Sequence, residues 1–149
     1  MDIRILPAFH YPTEIKELFS EYTQTLIDGD PEIQKYLSIQ NYEKELEHPE
    51  AKYGPPAGRL YLAFCEGSPA GCIGLRPLES PGCEMKRLYV RPAFRKNHIA
   101  IALSEQSLKM PEKSAIPICY WIPCLFCRMP WPCIKNMAFM KFPVTMIAR

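Results

Sequence analysis

Apolar positions along the chain change their period repeatedly, and each change marks a new element. Residues 2–6 (DIRIL) alternate polar and apolar, which predicts a first strand ended by Pro7. Ile15, Leu18, Phe19, Tyr22 and Leu26 then recur at helical spacing, behind a Pro12 suited to a first helical turn. Asp28-Gly29 breaks that helix. Asp30-Pro31 starts a second helical pattern through Ile33, Tyr36, Leu37, Tyr42 and Leu46, in one piece or two. These Tyr and Leu positions read as core. After a loop over residues 49–58 the period becomes strand-like, over Arg59–Cys65, residues 70–78 and Cys83–Val90. Glu66-Gly67-Ser68-Pro69 and Glu79-Ser80-Pro81-Gly82 supply turn chemistry between them, so the strands form an antiparallel meander. Residues 99–109 predict a helix with Ile99, Ala102, Leu103 and Gln106 on adjacent turns. The order is β-α-α-β-β-β-α, without internal repeats.

Composition adds limits. A chain of 149 residues, nearly half of them apolar, reads as one globular domain with a core of its own. The net charge of +2 conceals an asymmetry: residues 110–149 carry +4 and residues 1–109 carry −2. The body therefore offers no basic patch, and nucleic acid is not expected as a partner. The N-terminal end shows no basic and apolar leader pattern, and the most apolar run, residues 115–127, contains two prolines and is too short to span a bilayer. With seven cysteines, an odd number, the chemistry expected is that of free thiols in a reducing cytoplasm, away from membranes.

Candidate chemistry concentrates in residues 83–103, CEMKRLYVRPAFRKNHIAIAL. A strand that turns tightly into a helix leaves main-chain N–H groups unpaired at the helix N-terminus, where the dipole favours an anion such as pyrophosphate. Arg95 can add a charge-assisted contact there. Many strand-to-helix turns carry an arginine and bind nothing, so this alone does not assign a ligand.

The phrase CEMKRLYVRPAFR, preceded by GSPAGCIGLRPL and followed by Ile99-Ala100, resembles the acetyl-CoA signature of the GNAT superfamily of N-acetyltransferases. The resemblance runs from the first strand to about Lys109. It implies an α/β (α+β) GNAT-like acyl-CoA N-acyltransferase fold with a mixed, mostly antiparallel central sheet, in a single domain spanning residues 1–149. It further implies acetyl-CoA as cosubstrate and a small-molecule or peptide amine as acceptor. A homodimer is compatible with this reading. The family pattern R/Q-x-x-G-x-G/A falls on Arg95, Lys96, Asn97, His98, Ile99 and Ala100. Arg95 and Ala100 fit it, whereas His98 replaces a glycine and Lys96 stands where a second glycine is common. Glycine lets main chain approach a pyrophosphate closely, so these departures weaken the site. The His98 side chain reads as exposed at a helix start and is given no catalytic role.

By the same resemblance, the main chain of Leu88, Tyr89 and Val90 pairs with the pantetheine arm. Glu84, placed by period two on one face with Lys86, Leu88 and Val90, is the candidate to take a proton from the amine, directly or through water. The alternative is a glutamate salt-bridged to Lys86 or Arg87. The helical region of residues 19–53 is expected to line the acceptor side.

Residues 110–149 do not continue the family pattern, which requires a strand, a helix with an L-Y-x-x-x-G-F phrase, and final strands. Gly82 is the last glycine, and six of the sixteen prolines, both tryptophans and four of the seven cysteines follow residue 109. The C-terminal elements are therefore expected to be disrupted, an aberrant tail in their place. Combining each codon's third base with the first two of the next forces Asp, Ala, Ala, Gly and Glu at the Trp121/Ile122, Met129/Pro130, Trp131/Pro132, Met137/Ala138 and Met140/Lys141 junctions. Choices allowed at the other junctions complete a strand (YMLLDTL) and an LYKEYGF phrase whose glycine is one of the forced residues. Out-of-frame translation from about Lys109 is the reading this supports. Its consequence is a chain without the tyrosine that protonates the departing thiolate, at best impaired or a non-catalytic CoA-binding remnant. A competing reading takes Cys119, Cys124, Cys127 and Cys133 as a zinc-binding interaction module, although the spacing is irregular. A redox role for Cys124 and Cys127 is opposed by the surrounding prolines.

Overall fold

In a computed structural model, residues 1–39, 41–55, 57–77, 83–108 and 119–121 are described. The element order is β1 (Ile3–Pro7), α1 (Pro12–Gly29), α2 (Ile33–Ile39), α3 (Tyr42–Glu47), α4 (Glu50–Tyr53), β2 (Arg59–Cys65), β3 (Ser68–Pro77), β4 (Cys83–Val90), α5 (Ile99–Leu108) and β5 (Cys119–Trp121). The strands form one sheet in sequence order, antiparallel from β1 to β4 and parallel between β4 and β5. The mixed, mostly antiparallel sheet is thus as expected.

Local chemistry explains most boundaries. Pro12 opens α1, and the helix stops at Gly29, where the Asp30 N–H still reaches the Leu26 carbonyl at 2.9 Å. Ile15, Leu18, Phe19 and Leu26 are buried, which matches the predicted stripe. Glu66 and Gly67 both adopt positive φ, the backbone that closes a tight hairpin in register with the strand twist; β2 and β3 pair directly beside them, Cys65 against Ser68.

The second helical pattern forms two pieces, α2 and α3, as one of its two expected forms. Two expectations change. A further short helix, α4, occupies part of the loop expected over residues 49–58. Pro49 precedes its first turn, and the buried Tyr53 anchors its last. The expected last helix is present as α5, and its buried face runs through Ile99, Leu103, Ser104 and Ser107. Both serines are tolerated there because their hydroxyls donate to Ala100 and Ser104 carbonyls, each at 2.8 Å. Finally, residues 110–149 do contain a strand. Cys119, Tyr120 and Trp121 pair in parallel with Cys83, Glu84 and Met85. Aromatic residues suit a strand, and Pro117 and Pro123 bound it closely. The proposed zinc and redox cysteines Cys124, Cys127 and Cys133 lie outside the described residues, as does the Cys119 side chain.

Two apolar layers sandwich the sheet. On one face, α5 packs Ile99 and Leu103 against Ala63, Cys65, Ala70, Ile73, Leu75, Met85 and Leu88. On the other, α1 and α4 pack Ile15, Leu18, Phe19 and Tyr53 against Leu60, Leu62, Cys72 and Tyr89. Cys65 and Cys72 are buried free thiols. Among the described residues, no helix is long and apolar enough to cross a membrane.

Candidate active site

The geometry of the site begins with one extra residue in β4. Gly74 lies opposite Lys86 but Cys72 opposite Tyr89, so Arg87 and Leu88 together face a single residue of β3. Arg87 has φ +58, a left-handed conformation that bends the strand there. This bulge reverses the expected alternation. Glu84 and Lys86 lie on the α1–α4 face, in register with Arg76 and Gly74, and the bulge brings Arg87 to that same face. Leu88 and Val90 join the α5 side. The expectation that Glu84 shares a face with Leu88 and Val90 is therefore corrected, because period two does not carry through a bulge. The partner of Glu84 also differs from either residue proposed. Its Oε2 accepts from Arg76 Nε at 2.6 Å, a cross-strand pair whose carboxylate is buried.

Along the outer edge of β4, β5 covers only Cys83–Met85. No described strand pairs with residues 86–90 on that side. The side chains of Leu88 and Tyr89 point into opposite cores, so the main chain is what this edge presents.

Beyond β4 the chain makes a single turn of tight helix at Pro92–Phe94 and then a loop into α5. Lys96 has φ +67 and His98 φ +59. His98 stands at a glycine of the pattern and Lys96 where glycine is common, and here both non-glycine residues hold a left-handed conformation that favours glycine. Arg95, an exposed side chain, turns back and donates from Nε to the Val90 carbonyl at 3.1 Å. His98 is exposed, and its carbonyl accepts the Ala102 N–H at 3.0 Å as α5 begins. Ile99 is buried, while Asn97 and Ala100 are partly so.

A polar network fills the α1–α4 face beneath the bulge. Arg87 donates from Nε and Nη2 to Glu45 Oε1 and Oε2, at 2.7 and 2.9 Å. Tyr53 Oη donates to Oε1 at 2.6 Å, and Lys52 Nζ to Oε2 at 2.7 Å. Burial pushes the Glu45 carboxyl upward, but Arg87, Lys52 and Tyr53 outweigh it and bring it to about 2. Burial likewise opposes the charge on Arg87, yet the Glu45 carboxylate holds its guanidinium above the ordinary value. Tyr22 and Tyr42 flank that guanidinium at 5.9 and 5.2 Å from their ring centres. Lys86, half-buried beside Lys52 and Arg87, is lowered to about 8, first by burial and then by those like charges. Farther along, Arg91 is held by Glu21 on α1 and donates to the Pro69 carbonyl at 2.9 Å.

The acetyltransferase (GNAT) family model matches residues 14–121. The chain belongs to the GNAT family. An uncharacterized N-acetyltransferase of Schizosaccharomyces pombe is 39% identical over 102 residues, a match that covers 67% of this chain and 58% of that relative. The chain thus spans little more than half the length of this curated relative. Among solved structures, a GCN5-related N-acetyltransferase from Ralstonia eutropha superposes with a TM-score of 0.66 at 15% identity, covering 95% of this chain and 94% of its own. The PaiA N-acetyltransferase of Thermoplasma acidophilum, solved in complex with coenzyme A, gives 0.51 at 18% identity, covering 71% and 69%. These structural likenesses concern the fold.

Within this GNAT fold the Arg95–Ala100 loop follows the end of β4 and leads into α5, with Arg95 bonded back to the Val90 carbonyl. The structure places Glu84 before the bulge, on the sheet face packed by α1 and α4. Sequence reasoning missed Glu45, Lys52, Tyr53, Glu21 and Arg91. One signal was available: Glu45 sits three residues after Tyr42 and beside Leu46, a charge on the apolar side of a helix. Buried charges of this kind require a partner.

Proposed function

We propose that the chain is built as an acetyl-CoA-dependent N-acetyltransferase that acts on a primary amine, in a small molecule or a peptide. The observation that carries this reading is the left-handed backbone of Lys96 and His98. A left-handed conformation at the motif glycine position and at a second position where glycine is common favours a main-chain cradle for pyrophosphate. The residues present fit the cosubstrate: the N–H groups of Arg95 to Ala100 with the N-terminus of α5 hold the pyrophosphate, and the β4 edge at Leu88, Tyr89 and Val90 pairs with the pantetheine arm. Bound acetyl-CoA supplies an activated acyl group. Glu84, held by Arg76 on the acceptor side, takes the proton of the amine through a water. The pairing with PaiA adds support, since that protein was solved with coenzyme A.

A second reading is favoured by the tail. No glycine follows Gly82 to serve an L-Y-x-x-x-G-F phrase, although the family match itself runs on to residue 121. We infer that residues from about Lys109 are an out-of-frame continuation and that this exact chain binds acetyl-CoA but turns over poorly. Loss of a general acid alone costs on the order of a hundredfold. Resequencing the coding DNA across this junction tests the shift; an uninterrupted frame in close relatives sinks it. Thermal shift with acetyl-CoA and thiol release with a panel of amines test the activity. A stabilising shift with slow thiol release is expected. No shift at saturating acetyl-CoA overturns both readings.

A further inference from the structure

Contacts from several elements converge on Arg87, the extra residue of the β4 bulge. Its left-handed φ of +58 is unfavourable for a side chain with a Cβ, so the conformation persists only because its surroundings impose it. The guanidinium makes a two-pronged pair with Glu45 of α3, at 2.7 and 2.9 Å. Tyr42 and Tyr22 flank it. The Arg87 carbonyl accepts from the buried Cys72 thiol at 3.4 Å. Glu45 itself is fixed by Lys52 and Tyr53, so each carboxylate oxygen accepts two bonds. A carboxylate so fully engaged and buried is a poor proton acceptor and a good anchor. What it anchors is the direction of the next main-chain unit, because a bulge re-aims the residue that follows it.

We propose that Glu45 is a positioning residue for acetyl transfer: through Arg87 it holds the β4 bulge that aims the main chain of Leu88 at the thioester end of acetyl-CoA. The inference rests on the acetyl-CoA reading above. Among the described residues the Arg87 side chain bonds to Glu45 and not to the Arg95–Ala100 loop, so the two residues act on the ligand through the aim of the strand that carries Arg87. The nucleotide end of the ligand should not sense them.

Isothermal titration of the full chain with acetyl-CoA and with ADP, which carries a pyrophosphate but no pantetheine or thioester, separates the two ends. Two variants are compared with wild type, Glu45→Gln and the double replacement Glu45→Leu/Arg87→Met. The double replacement removes both buried charges together, leaving Lys52 to turn toward solvent and the Tyr53 hydroxyl without its acceptor, and circular dichroism establishes which variants are folded before titration. In folded variants, acetyl-CoA affinity falls by about tenfold or more while ADP affinity stays within about twofold. Equal losses for both ligands, or unchanged acetyl-CoA binding by the folded double variant, overturn the positioning role. Failure of wild type to bind acetyl-CoA overturns the underlying reading instead.

Discussion

Glu21 on α1 grips Arg91, the residue just beyond β4: Arg91 Nη2 lies 2.7 Å from Glu21 Oε1, and Nε lies 3.1 and 3.0 Å from the two carboxylate oxygens. The Tyr89 hydroxyl adds a bond to the same carboxylate at 3.3 Å. The hydrogen bonds of Arg91 lead in holding the Glu21 carboxyl below its usual range. Because Glu21 is 39% exposed, water screens the pair and its energetic weight is modest. Glu21→Ala should cost about 1 kcal/mol in urea unfolding, and the deficit should shrink in high salt. A loss unchanged by salt would mean that packing, not charge, joins α1 to β4.

The Glu45–Arg87 pair predicts a different response, because it is buried. The Glu45 carboxyl lies near 2 in the folded chain against 4.5 for its ordinary value. A depressed carboxyl contributes stability that is fully present above the unfolded value. That stability should be lost as pH falls from about 4.5 toward 2. Urea midpoints measured across this window should drop in wild type and drop less steeply in the Glu45→Gln variant. Removing one partner outright, as in Glu45→Ala, leaves the Arg87 charge unpaired and should cost about 3–5 kcal/mol at neutral pH.

Gly74 has no room for a side chain. A Cβ there would lie 2.7 Å from the Tyr53 ring, and that ring is fully buried with its hydroxyl bonded to Glu45. Tyr53 cannot swing aside without releasing the anchor of the bulge. Gly74→Ala should therefore destabilise by about 1–3 kcal/mol despite adding one methyl group. The companion variant Gly74→Ala/Tyr53→Phe, which frees the ring of its hydrogen bond, should move differently from the sum of the two single changes in a double-mutant cycle.

Much of the sheet was legible because period two and turn residues both report local backbone. Arg59–Cys65 and Cys83–Val90 emerge with the expected bounds. The short helices α2 to α4 were less so: Pro49 reads as a loop signal, yet it also suits the start of α4, and only the buried Tyr53 decides between the two. The bulge was illegible because one inserted residue leaves no mark on an alternation as mixed as that of KRLYV. Everything beyond Arg87 then changed face, which misplaced Leu88 and Val90 relative to Glu84. Glu45 was hidden for another reason. Its partner lies 42 residues away, a pairing that no local window can contain. The strand-to-helix motif was legible as sequence, but the backbone that Lys96 and His98 adopt was not.

That backbone supplies the last prediction. Residues with a Cβ in the left-handed region carry a penalty of roughly 1–2 kcal/mol, which glycine escapes at the cost of about 0.5–1 kcal/mol of unfolded-chain entropy. His98 is exposed, so removing its side chain forfeits little packing. His98→Gly should therefore be neutral to stabilising, by about 0.5 kcal/mol. Lys96 has the same φ sign and is also exposed, so Lys96→Gly should behave alike, at the loss of one positive charge from the loop. The two changes separate conformation from charge. If the loop is a pyrophosphate cradle, His98→Gly should tighten ADP binding by opening the main chain to closer approach, whereas Lys96→Gly should tighten it less or weaken it at low salt. Calorimetric titration of both variants at two ionic strengths reads the difference. Identical ADP affinities in wild type and His98→Gly would mean that the glycine conformation of this loop serves the start of α5 alone.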